Sequence, residues 1–214
     1  MAQDDDAQSE ETARQVCLRL LEAGPRTREQ LAQAMRRKGV SPQVAEAILD
    51  RFAEVGLIDD AAFARAWVES RHHGRGLARR ALAAELHQRG VGAEEVRAAV
   101  GSLRPEDEAE TARRLVAKRV VATRGRPLPA RARHLVGFLA RKGYSAGLAA
   151  QVVREALEHD TAIAPSAARP SRGRDFSDSD MDAGLECLDG LEGLDTLDSA
   201  DDSAEPPPLR GSAV

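Results

Sequence analysis

Three features of this 214-residue chain could in principle do chemistry: the carboxylate pair Asp59-Asp60, the histidine pair His72-His73, and the basic turn Gly74-Arg75-Gly76. Paired carboxylates can act as general acid and base. These two, however, stand directly before an apolar-periodic run, where a carboxylate accepts the free N–H groups of a helix's first turn and complements its positive end. Capping accounts for both. Adjacent side chains on a helix point apart, and no Cys or acidic residue sits at metal-ligand spacing from His72 or His73, so that pair reads as part of a solvent-exposed turn. A lone Gly-Arg-Gly does not match a phosphate-binding loop, and no Ser, Thr or Cys occupies a nucleophile elbow. His87, His134 and His159 are isolated. Cys17 and Cys187 give neither a disulfide framework nor a metal set, and Cys17 reads as a small apolar helix residue. The chain is therefore expected to be no enzyme and to carry no cofactor and no metal.

Cationic clusters remain. Arg36, Arg37 and Lys38 end one predicted helix, Arg79, Arg80 and Arg89 flank a second, and Arg141 and Lys142 end a third. Arg113, Arg114 and Lys118 lie along a long helix, and Arg71 and Arg75 border the glycine turn. Cations near helix C-termini complement the helix dipole, worth about 0.3–1 kcal/mol each. The same residues also form a discontinuous positive surface suited to an acidic partner or a phosphate backbone.

The elements that must position these residues are helical. Thr27-x-x-Gln30 has the form of a capping box and opens a helix closed by Gly39, while Ser41-Pro42 opens the next, closed by Gly56. Phe63, Ala64, Trp67 and Val68 recur at the spacing of an apolar helical face between Asp60 and Arg71, with Phe63 and Trp67 as core anchors. Glycines 74 and 76 interrupt that helix, and Glu85 and Leu86 belong to its successor, closed by Gly90. The pattern then repeats. Leu31-x-x-x-Met35-x-x-Lys38-Gly39 corresponds to Leu82-x-x-x-Leu86-x-x-Arg89-Gly90 and to Leu135-x-x-x-Leu139-x-x-Lys142-Gly143, at offsets of 51 and 53 residues. Tandem three-helix units follow from this period, spanning about 27–72, 76–124 and 130–158, each too small to bury its apolar face alone. The fold class is all-α, an elongated array of helical repeats over residues 12–160.

Asp59-Asp60-x-x-Phe63-Ala64-x-x-Trp67-x-x-x-Arg71, followed by a glycine-containing turn and Glu85-Leu86-x-x-Arg89-Gly90-Val91, resembles the signature of the RecX family. The likeness runs from Ala13 to Asp160; where many members carry Gly-Pro before the Glu-Leu helix, this chain has Gly74 and Gly76 without Pro. The resemblance implies that Asp59, Asp60, Phe63, Ala64, Trp67, Glu85, Leu86 and Gly90 are mainly structural. It also implies a partner, the RecA filament on single-stranded DNA, in whose groove the family lies, opposing extension and lowering ATPase and strand-exchange activity in recombination and repair.

The formal net charge of −4 hides a segregation. Residues 12–160 carry 27 Lys and Arg against 18 Asp and Glu, or +9, whereas residues 1–11 carry −5 and residues 161–214 carry −8. Both ends have the composition of disorder, as an acidic lead-in and an acidic tail; the tail could cover the basic body in cis. There is no apolar run of membrane-spanning length and no secretory leader, so the expectation is a cytoplasmic monomer away from membranes. A competing reading takes residues 27–59 as the helical half of a winged-helix DNA-binding regulator. A wing requires alternating strands after Ile58, whereas the residues from Asp59 to Ser70 have helical periodicity. Weak, sequence-independent binding to single- or double-stranded DNA is compatible with both readings.

Overall fold

The computed structural model describes residues 2–163, with side chains described from residue 8. Among the described residues nine α-helices follow one another: α1 (Ala2–Ala23), α2 (Arg28–Arg37), α3 (Pro42–Glu54), α4 (Asp60–Arg75), α5 (Arg79–Gln88), α6 (Ala93–Gly101), α7 (Pro105–Val120), α8 (Leu128–Arg141) and α9 (Ala146–Ile163). A short 3-10 turn, Val121–Thr123, extends α7. No strand occurs among the described residues.

Local sequence explains the helix starts. The Thr27 hydroxyl accepts from the Gln30 N–H at 3.2 Å, and the Gln30 amide accepts from the Thr27 N–H at 3.1 Å, completing the capping box. Ser41 caps α3 with Pro42 as its first residue, and Asp59 caps α4 by accepting from the Ala62 N–H at 2.7 Å. Helix α4 occupies the place where a wing would begin, so the winged-helix reading loses its distinguishing element.

The helices close three successive cores. The first is built from α1–α3, the second from α4–α6 and the third from α7–α9. In each, a first helix contributes Ala13, Ala64 or Ala112 and, four residues on, Cys17, Val68 or Val116; a second helix contributes Leu31 and Met35, Leu82 and Leu86, or Leu135 and Leu139. All are buried. This corrects the unit boundaries expected from sequence by one helix. The helix after each Gly-closed pair belongs to the next module: its small Ala lets it pack closely against its own successors, and α4 packs chiefly on α6 and α7 on α9.

Three local expectations change as well. Residues 2–11 lie in α1 and do not form a lead-in. Helix α4 does not stop at Arg71; it runs through Gly74 to Arg75, with Gly76 in the left-handed conformation (φ +64°) as its cap. His72 is consequently buried at 3% exposure, its Nδ1 2.8 Å from the Leu77 carbonyl and its Nε2 3.1 Å from the Thr111 hydroxyl, and only His73 is exposed. At the other end α9 continues to Ile163. The expected disorder and shielding role of the acidic tail, and Cys187 within it, lie outside the described residues.

Candidate partner-binding surface

The signature residues of α4 and α5 converge on Trp67. Phe63, Trp67 and Arg71 share one face of α4 at four-residue spacing, and Glu85 and Arg89 do the same on α5. The Phe63 ring stacks on Trp67 at 5.7 Å and 15°. The guanidinium carbons of Arg71 and Arg89 lie 4.2 and 3.8 Å from the Trp67 ring centre, and the indole N–H donates to Glu85 at 2.8 Å. Cation–π contacts shielded from water contribute up to about 2 kcal/mol. Trp67 is half-buried and Arg71 only 5% exposed. Arg71, expected from sequence on a partner-binding surface, is therefore buried against Trp67.

Several other cations expected at the surface work at the junctions between modules. The Thr27 hydroxyl donates to the Arg89 carbonyl at 2.6 Å, and the Arg28 N–H donates to Asp60 at 2.9 Å. The next junction repeats this arrangement: the Ala78 N–H donates to the Lys142 carbonyl at 2.9 Å and the Arg79 N–H to Glu108 at 3.1 Å. Asp60 is thus not a second cap for its own helix but an acceptor for the preceding module; burial pushes its carboxyl above the usual carboxylate range, partly offset by the Arg28 N–H. The Arg79 side chain donates to the Leu103 carbonyl and lies 3.7 Å from Glu108. Lys142 Nζ donates to the Arg75 carbonyl at 2.8 Å, fixing half-buried Arg75, and the Tyr144 hydroxyl donates to the Gly76 carbonyl at 3.0 Å.

What remains outward-facing is a smaller set. Arg36, Arg37 and Lys38 at the end of α2 are exposed, with Arg36 bound at 2.7 Å to Glu29, whose carboxyl that contact holds below its usual range. Arg80, Arg113, Arg114, Lys118 and Arg141 are exposed too. Arg113 lies 3.5 Å from Glu155, and Arg114 reaches the Thr111 hydroxyl at 3.3 Å. Sequence reasoning missed Arg133, exposed on α8 one 53-residue period after Arg80 and therefore at the equivalent place of the next module. The repeat itself was the signal that could have found it. Among the described residues no cluster of His, Cys, Asp or Glu is placed to hold a metal ion, and no helix is long and apolar enough to cross a membrane. The arrangement is a helical frame, closed internally by part of its basic residues, with the rest displayed on all three modules.

Three family models match in chain order: the first three-helix domain of RecX over residues 13–52, the second over 59–100 and the third over 106–153. Their order and limits follow the three cores. A protein named Regulatory protein RecX from Thermobifida fusca is 63% identical over 146 residues, which are 68% of this chain and 79% of that relative. Another, from Streptomyces coelicolor, is 59% identical over 150 residues, 70% of this chain and 80% of its own length. The crystal structure of RecX from Lactobacillus salivarius superposes with a TM-score of 0.64 over 74% of this chain and 99% of that one; at 17% identity the likeness concerns the fold. Sequence matches to all three helical domains, in register with the three observed cores, establish that the chain belongs to the RecX family of regulatory proteins.

Proposed function

We propose that this protein is a non-enzymatic, cytoplasmic regulator that binds the RecA filament on single-stranded DNA, opposes its extension, and so lowers its ATPase and strand-exchange activities. Family membership supports RecA as the partner. The observation that carries the physical reading is the display of exposed cations on each of three modules linked in series by repeated junctions. A body with several such patches can touch more than one protomer of an acidic polymer at once, and linked contacts raise avidity well beyond that of any single one. Binding available only in the polymer then biases assembly through differential affinity. The basic patches are the contact residues in this reading: Arg36, Arg37 and Lys38 on the first module, Arg80 on the second, and Arg113, Arg114, Lys118, Arg133 and Arg141 on the third. Weak DNA contact is a by-product of the same charge.

The test is steady-state ATP hydrolysis by RecA on single-stranded DNA, titrated with this protein. Inhibition at amounts below one per RecA protomer is expected. Unchanged hydrolysis at equimolar protein, with no co-sedimentation, would refute the proposal.

A further inference from the structure

Each module receives the start of the preceding module's second helix at one particular spot, the glycine that ends its own second helix. At the first junction this is Gly90 (φ +77°), where an added Cβ would overlap the Glu29 Cβ; at the second it is Gly143 (φ +86°), where a Cβ would lie 2.5 Å from the Ala81 nitrogen. Glu29 and Ala81 are both in the first turn of their helices. Beside each glycine a carbonyl accepts from the residue that caps the incoming helix: Arg89 from the Thr27 hydroxyl and Lys142 from the Ala78 N–H. An oxygen four residues before the buried Ala of the module's first helix accepts the next N–H, Asp60 from Arg28 and Glu108 from Arg79. Glycine, carbonyl and side-chain oxygen together form a socket for a helix N-terminus.

The first module has the same three parts. Gly39 ends α2 at φ +77°, and a Cβ there would meet nothing within 4 Å among the described residues. The Lys38 carbonyl occupies the place of those of Arg89 and Lys142, and Ser9, four residues before Ala13, stands where Asp60 and Glu108 do. Among the described residues no helix start fills the socket. A second copy does not supply the plug from the opposite end of the array. Helix α8 starts at Leu128, so Arg131 and Ala132, the equivalents of Thr27 and Arg28, lie inside the helix; their N–H groups are turned into its ladder, the Arg131 N–H already donating to the Pro127 carbonyl.

We infer that the Gly39 end of the first module is a docking socket for the N-terminal turn of an α-helix on the protein partner. The occupant presents a cap residue to the Lys38 carbonyl, a first-turn N–H to Ser9, and a first-turn side chain over Gly39. Its chemistry is further narrowed by exposed Arg36, Arg37 and Lys38 around the socket. These favour an acidic first turn, as Glu29 provides at the neighbouring junction, and acidic first turns are common because they complement the helix dipole. This rests on the proposal that the partner is the RecA filament and assigns the contact to one end of the array.

The test compares Gly39→Asn with Gly56→Asn in binding to RecA filaments on single-stranded DNA. Gly56 has φ +73° and equally open surroundings but ends α3 and not a second helix, so the two variants share backbone strain and only Gly39→Asn alters the socket. Asn tolerates the left-handed conformation. The expected result is roughly ten-fold weaker filament binding for Gly39→Asn, with melting temperature matching that of Gly56→Asn, which binds like wild type. Equal binding by the two variants would overturn the socket while leaving the filament reading intact. Absence of wild-type binding would overturn both.

Discussion

Arg131 and Asp160 face each other at 2.5 Å between α8 and α9, their side chains 6% and 4% exposed. Around this pair the Arg131 guanidinium also donates to the Thr123 hydroxyl at 2.9 Å and the Val120 carbonyl at 3.1 Å, while Arg124 donates to the other Asp160 oxygen at 2.6 Å. The network ties α7, α8 and α9 together at the end of the third module, where no further module follows among the described residues. A terminal repeat needs such a cap.

Neutralising that carboxylate should loosen the third module. Breaking a buried pair by removing one partner leaves an uncompensated charge and costs about 3 kcal/mol or more, so Asp160→Asn should lower the denaturant midpoint markedly. The hydrogen bond from Arg124, followed by that from Arg131, holds the Asp160 carboxyl below its usual value. A depressed folded-state pKa contributes stability that is present above the unfolded pKa, about 3.9, and is lost as pH falls through the folded value. Thermal melts between pH 6 and 2.5 should therefore show an acid-side loss for wild type that Asp160→Asn largely lacks. Parallel pH curves for the two proteins would contradict this account.

The glycines should separate into two classes. At Gly39, Ala meets only backbone strain, about 1 kcal/mol after the gain from a stiffer unfolded chain. At Gly143 the same Cβ also collides with the backbone of Ala81, which a side-chain rotation cannot relieve. Gly143→Ala should cost at least about 2 kcal/mol more than Gly39→Ala, measured by urea unfolding. Equal costs would mean that the modules do not meet as closely as the Ala81 contact implies.

Thr27 joins two tasks, the α2 cap and the junction to Arg89, and is fully buried. Thr27→Ser keeps the hydroxyl and should cost about 1 kcal/mol for the lost methyl. Thr27→Ala should cost about 2–3 kcal/mol, combining a lost cap with a partly buried carbonyl left without its partner. If both variants unfold at the same denaturant concentration, the hydroxyl is not what secures the first junction.

The Thr27 box, the Ser41-Pro42 start and the Asp59 cap were legible in the sequence because each is settled within four residues. The leucine period was legible too, since it fixes the second helix of every module. The module phase was not. Its markers are Ala13, Ala64 and Ala112, small residues whose meaning comes from how closely helices pass, which single-chain periodicity does not record. Gly74 suggested a break for the same reason. The helix is carried through it by partners elsewhere: His72 is held by Thr111, 39 residues away, and Gly76 supplies the actual stop. Among the cations, residue type gave positive charge but not its destination. Arg71 and Arg89 went to Trp67, Arg79 to Leu103 and Glu108, and Lys142 to Arg75.

This division of the cations leads to a test of the filament-binding surface. Arg79 and Arg80 are neighbours in sequence with opposite fates, since Arg79 is bound to Leu103 and Glu108 while Arg80 is exposed. Arg80→Glu together with Arg133→Glu reverses charge at equivalent places on the second and third modules. Exposed substitutions away from caps and cores usually change stability by under about 0.5 kcal/mol, so the double variant should melt within a few degrees of wild type. Its inhibition of RecA ATP hydrolysis should need several-fold more protein, with the deficit shrinking as salt rises and screens the contact. Arg79→Glu should behave in the opposite way, lowering the melting temperature first, because it sets a carboxylate against Glu108 and strands the Leu103 carbonyl. Full inhibition by the Arg80/Arg133 double variant would remove these two positions from the binding surface.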